Sequence, residues 1–197
     1  MTNTSKWFAA IGFAALGASS LGAQGTTIDP RWQAWIGCWA PAPDASGRTE
    51  IGGASRMCVV PSQPASAVEI VTVANGTVLD RARIDADGAP HTVSRDGCAG
   101  TESARWGDAG TRLYLSSELQ CGGNVARSGR GVLSFTQRYE WLDVRGMRSK
   151  DASGVAARRY LPTDDATGVP ADIRALAPAR SAATNNAPMK KNDPSCG

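Results

Sequence analysis

The chain has 197 residues, of which 42% are hydrophobic and 20% charged, and a formal net charge of +3. That is enough chain for one domain with a real core, and it excludes the collagen-like, coiled-coil and wholly disordered classes. The charge is too small and too scattered for a nucleic-acid platform, so no nucleic-acid partner is expected.

Residues 1–23 read as a secretory signal peptide. Lys6 supplies the single positive charge, and Trp7 to Ala18 is apolar or small throughout. A run of about 12 residues suits a signal core and is too short to span a bilayer. Cleavage is expected after Ala23, although Leu21 departs from the small-residue pattern two positions before it. No cysteine follows that cut, so a lipid-anchored form is not expected; the alternative is an uncleaved anchor. No later segment is apolar enough to insert stably in a membrane. Arg outnumbers Lys 17 to 4 in an Ala- and Gly-rich chain, the composition of a GC-rich bacterial genome. The expected location is therefore periplasmic or secreted.

The segment Asp29-Pro30-Arg31-Trp32-Gln33-Ala34-Trp35-Ile36-Gly37-Cys38-Trp39 is the most distinctive in the chain. Asp29 is placed to cap a short helix that begins at Pro30. Trp32, Trp35, Ile36 and Trp39 are spaced to share one side, and Gly37-x-Trp39 opens the first strand. This segment resembles the opening of lipocalin-like (calycin) barrels. The resemblance implies a barrel over residues 29–162, with a short helix closing one end and Trp39 packed at its floor. It also implies an arginine of the last strand lying over that tryptophan. Arg158 and Arg159 stand on the last predicted strand. If Val155, Ala157 and Leu161 face inward, Arg159 does too and becomes the cation–π partner of Trp39. Bacterial lipocalin-like metalloprotease inhibitors share this small exported format, but no inhibitory segment is matched here.

From Asp29 to Pro162 the chain reads as β throughout, in alternating runs separated by Gly, Asp, Asn and Pro clusters. The clearest hairpin joins Val68–Ala74 to Thr77–Ile84 through Asn75-Gly76, a type I′ turn signal. On one face of this hairpin lie Val71, Val73, Val78, Ala82 and Ile84, together with Glu69 and Asp80. Turned inward, that face gives a barrel with a partly polar interior and makes Glu69 and Asp80 ligand-binding candidates. Turned outward, it leaves Arg81 and Arg83 inside with Val68, Ile70 and Leu79. In either case the charges can instead reach solvent at the strand ends. Asp85-Ala86-Asp87-Gly88, Asp96-Gly97 and Asp108-Ala109-Gly110 read as turns rather than calcium loops. Later strands are expected at Arg112–Leu119, Gly131–Thr136, Glu140–Met147 and Gly154–Leu161, about eight to ten in all. Leu142 and Val144 share one face of their strand, and Trp141, Asp143 and Arg145 the other.

Five cysteines are present, Cys38, Cys58, Cys98, Cys121 and Cys196. In an exported chain four of them suggest two disulfides, and the pairs nearest in sequence are Cys38–Cys58 and Cys98–Cys121. Zinc is the competing reading. With no Cys-x-x-Cys pair and a single histidine, no metal site is expected. Cys196 is left over as a tail thiol or an intermolecular link.

Catalytic signals are thin. His91, Ser94 and Asp96 can be written as a triad, but no nucleophile elbow accompanies them and adjacency in sequence does not make geometry. No catalytic residue and no cofactor is expected. Most tryptophans of a small β domain belong to the core. Trp141 alternates with Asp143 and Arg145, so it is expected on the outer face as an interaction surface. The tail from Thr163 is Ala-, Pro- and Asn-rich and is expected to be mobile apart from a short helix over Val169–Ala177.

The resulting expectation is an all-β protein, a single antiparallel up-and-down barrel or sandwich. Its expected function is non-enzymatic binding of a small apolar or amphipathic ligand, with Trp39, Glu69, Asp80 and Arg159 lining the site. The alternative is a cell-envelope protein-interaction module or a protease-inhibitor-like barrel, with an envelope protein as partner.

Overall fold

The computed structural model of the protein describes residues 28–43 and 55–177. The expected signal peptide and Cys196 lie outside the described residues. The Asp29 carboxylate accepts the Arg31 N–H at 2.9 Å and caps a single 3-10 turn, Pro30–Trp32. Ten strands follow: β1 (Gly37–Pro41), β2 (Ser55–Pro61), β3 (Ala67–Ala74), β4 (Thr77–Asp85), β5 (His91–Arg95), β6 (Cys98–Trp106), β7 (Arg112–Cys121), β8 (Val125–Phe135), β9 (Trp141–Ser149) and β10 (Ser153–Pro162). A short helix α1 (Ala171–Leu176) completes the described chain.

All ten strands form one antiparallel sheet in the order β4-β3-β2-β1-β10-β9-β8-β7-β6-β5. Chain neighbours pair throughout except β4 and β5, and β1 pairs with β10, so the sheet curls into a nearly closed up-and-down barrel. The opening lies between β4 and β5. At one end it is bridged where Asp87 pairs with Arg105 of β6. This is the expected fold class, as a barrel rather than a sandwich.

Turn chemistry sets this path. Asn75 and Gly76 both take positive φ (50° and 79°), as do Asp96 and Gly97 (53° and 71°), which gives the tight reversals a hairpin barrel needs. β8 is longer than its sequence suggests. Gly129 and Gly131 mask the alternation, yet the strand pairs along its length with both β7 and β9.

The two disulfides join directly opposed residues of neighbouring strands, Cys38–Cys58 across β1 and β2 and Cys98–Cys121 across β6 and β7. This is the expected pairing.

Two apolar clusters form. Inside the barrel, Trp32, Trp35, Trp39, Trp106, Trp141, Leu113, Leu133 and Tyr160 pack into a floor, with Phe135 and Tyr139 against it. Trp39 and Trp141 are fully buried and cross edge to face at 5.9 Å, and Phe135 stacks on Tyr139 at 4.8 Å. Outside the barrel, Val169, Ile173 and Ala177 of the α1 segment cover Cys38, Cys58, Val60, Val71 and Val73. The outer wall of β2 and β3 is therefore buried as well, and the tail contributes to the fold as far as Ala177.

Candidate functional site

The floor fills one end of the barrel, and side-chain size along each strand explains why the other end is open. Strand alternation puts every second residue inside. From floor to mouth the inner residues of β8 run Phe135, Leu133, Gly131, Gly129; those of β6 run Trp106, Ala104, Glu102, Gly100. On β10 the series is Tyr160, Arg158, Ala156, Gly154. Large rings give way to small or charged groups, and the space is left unfilled. A Cβ at Gly100 would stand 2.1 Å from the Glu118 carbonyl oxygen, so glycine is needed at that height.

The result is a cavity of about 590 Å³, lined on both sides of the β4–β5 opening and across β6 to β9. Its apolar lining is aliphatic and includes Ile84, Val93, Leu115, Leu119 and Met147. Its polar lining is mostly paired. Arg145 donates from Nε to Asp143 at 2.9 and 3.2 Å, and Asp143 is buried among the floor residues. Arg95 of β5 donates to Glu102 of β6. His91 lies 2.9 Å from Asp87. That hydrogen bond, with one from the Ala89 N–H, holds the Asp87 carboxyl below its ordinary range. Asp80 also lines the cavity, and no hydrogen bond or ion pair engages its carboxylate among the described residues.

Asp85, Asp87 and His91 bring three donor atoms within 4.8 Å of one another. Protein contacts account for this grouping. Asp85 accepts from Ser66 Oγ at 2.5 Å and lies 3.4 Å from Arg83, and Asp87 is engaged by His91.

The residues singled out from sequence separate. Trp39 is in the floor, below the cavity. Asp80 is at the cavity. Glu69 is on the outer face, 3.0 Å from Arg81. The cause is a bulge: Val73 pairs with Val78 but Thr72 with Asp80, so Leu79 is extra. Val78 stays outside, while Asp80, Ala82 and Ile84 turn inside. On β3 it is Val68 and Ile70 that face in; Val71 and Val73 face out under α1.

Arg159 also points outward, toward Glu140 at 3.4 Å and the Pro43 carbonyl at 3.5 Å. Tyr160 takes the inward position because its ring packs on Trp141 at 4.9 Å, and Val155, on the same face as Arg159, is 78% exposed.

Trp141 is inside the barrel rather than on its outer face. Its strand face is the inner one, which carries Asp143 and Arg145 up to the cavity. Those charges are tolerated inside because they pair with each other where the interior is polar. The alternation of Trp141 with Asp143 and Arg145 was the available signal for these cavity residues. An aromatic at the floor and charges above it describe one inner face.

The written triad is not assembled. His91 faces inward, Ser94 is three positions on and faces outward, and Asp96 is in the mouth turn, about 16 Å of strand from His91.

No family model matches this sequence, and no curated protein matches it. Among solved structures, the chain is similar to secretory abundant heat soluble protein 4 from Ramazzottius varieornatus, with a TM-score of 0.38 and 14% identity over 65% of this chain and 94% of that one. It is likewise similar to a secretory abundant heat soluble protein from the same organism, with a TM-score of 0.38 and 12% identity over 64% and 93% of the two chains. The architecture is established by the strand order itself.

Proposed function

We propose that the protein is an exported, non-enzymatic carrier of a small amphipathic ligand, held in the open half of the barrel. One observation carries this reading: a barrel packed solid with aromatic rings at one end retains a cavity of about 590 Å³ at the other. That volume is in the range of small-molecule sites, and an aliphatic lining with a few fixed polar groups is their usual composition. The aliphatic wall from Leu115 to Met147 suits the apolar part of a ligand. Arg145, steered by the buried Asp143, and Asp80 at the β4–β5 opening suit its polar part. Trp39 then serves the site from below, as the rigid floor on which the cavity rests.

The alternative of a protein-interaction module built on exposed aromatics has less support, because Trp32, Trp35, Trp39, Trp106 and Trp141 are all buried.

Native mass spectrometry of protein recovered from the export compartment tests the reading. The expected result is a mature chain cut after Ala23, carrying extra mass that denaturation releases as an amphiphile. A bare chain that also takes up no added amphiphile would remove the carrier reading.

A further inference from the structure

At the β9–β10 turn of the barrel rim, three cations lie close together along the chain and the strand register. Arg127 near the start of β8, Arg148 near the end of β9 and Lys150 in the turn converge there. In register Arg127 stands opposite Ser149, and Arg148 opposite Ser153. All three are exposed, and none has a hydrogen bond or ion pair among the described residues. Arg81, Arg95, Arg130 and Arg145 are each matched to a carboxylate, and Arg112, Arg138 and Arg174, exposed without one among the described residues, are spread singly elsewhere. The rim's nearest acid, Asp151, offsets only part of the charge.

Two large apolar side chains stand beside these cations. Met147 is 53% exposed and Val155 is 78% exposed. They occupy adjacent strands, opposite Gly154 and Gly146 respectively, so no bulky cross-strand neighbour covers either one. Met147 stands on the inner face at the mouth and Val155 on the outer face, so the two flank the rim from either side, and among the described residues no helix covers Val155.

Unpaired cations around exposed apolar tips form the composition of a membrane-interfacial surface. The cations are drawn to anionic head groups, and the apolar tips enter the boundary between head groups and chains. We propose that this rim docks the protein on an anionic phospholipid surface. Met147 belongs both to the rim and to the cavity lining, so docking sets the barrel mouth against the head groups. The proposal does not require the cavity to hold a ligand.

The test is cosedimentation of the full chain with phosphatidylcholine vesicles, with and without about one-third phosphatidylglycerol, at low and at physiological salt. The readout is the ratio of binding to the two vesicle types, which cancels any contribution of the N-terminal apolar segment. The wild-type chain is expected to prefer the anionic vesicles, and salt to weaken that preference. Combined Arg127→Glu, Arg148→Glu and Lys150→Glu is expected to lower the ratio by about tenfold or more. Lys150→Glu alone, in a turn where folding is least affected, should lower it in part, while Arg138→Glu near the floor should leave it unchanged. Met147→Gln with Val155→Ser should weaken binding to anionic vesicles without abolishing its salt dependence. Equal binding to both vesicle types, or an unchanged ratio in the triple variant, overturns the proposal. Binding indifferent to Met147 and Val155 overturns it too, and points to an acidic protein instead.

Discussion

At Trp141 a large ring and two charges share one strand face, and the ring decides which way that face turns. The indole meets Trp35 at 5.8 Å, Trp39 at 5.9 Å and Tyr160 at 4.9 Å, with no exposed surface left. Trp141→Ala is therefore expected to cost about 3–5 kcal/mol in denaturant unfolding, because it empties a packed aromatic site. Leu79→Ala, at the exposed bulge, should stay within about 0.5 kcal/mol. Similar costs for the two would contradict the assignment of the floor. A second residue-scale test concerns Asp165. Hydrogen bonds from Thr167, and Arg56 at 2.6 Å, hold its carboxyl down to about 2. A folded value below the unfolded one means that this link stabilises the fold at neutral pH. Its contribution is lost as pH falls from the ordinary 3.8 toward about 2. Carboxyl chemical shifts should show Asp165 titrating near 2, and a midpoint at 3.8 would break the link to Arg56.

At the level of elements, α1 and the β3–β4 hairpin explain each other. Val78, paired with Val73, packs on the outer face with Val71 and Val73 against Val169 and Ile173, and the bulge at Leu79 then turns Asp80, Ala82 and Ile84 inward. Without the bulge, Val78 and Asp80 would share one face, and with Val78 held outside opposite Val73, Asp80 would leave the cavity. Ile173 is 1% exposed, so Ile173→Ala is expected to cost about 2 kcal/mol or more in the same unfolding measurement. An unchanged midpoint would show that α1 is dispensable. Removing the Cys98–Cys121 link, which spans 23 residues, should cost about 3 kcal/mol. The Asn75-Gly76 turn, the Asp29 cap and both disulfide pairings were legible in the sequence, because each depends on local chemistry. The bulge was not. Period-two reading carries one face through a hairpin unbroken, so a single extra residue misplaces everything on one side of it. That is why Glu69 and Asp80 looked like neighbours on one face and are not.

Across the whole molecule, the up-and-down order is what unites these details. Pairing of β1 with β10 makes inside and outside distinct, and size grading along β6, β8 and β10 divides the inside into floor and cavity. An antiparallel up-and-down arrangement of about eight to ten strands was readable from alternation and turns, as was the capping segment with its tryptophans, but barrel against sandwich was not. Which face of β9 and β10 points in was not readable from either strand alone. Trp141 and Tyr160 select each other only once the two strands are paired, and that pairing turns Arg159 outward. The cavity itself is a sum of small residues from six strands, which no single segment announces.

The most direct test of the carrier account is a fluorescence titration with an environment-sensitive amphiphilic probe, on the wild-type chain and on Ser117→Phe. Ser117 lines the cavity opposite Gly129, so a phenyl ring there occupies the open half without touching the floor. The account predicts saturable binding of one probe per wild-type chain, and loss of that binding in a Ser117→Phe protein of unchanged unfolding midpoint. Absence of saturable binding to the wild type, or equal binding by both proteins, would contradict it.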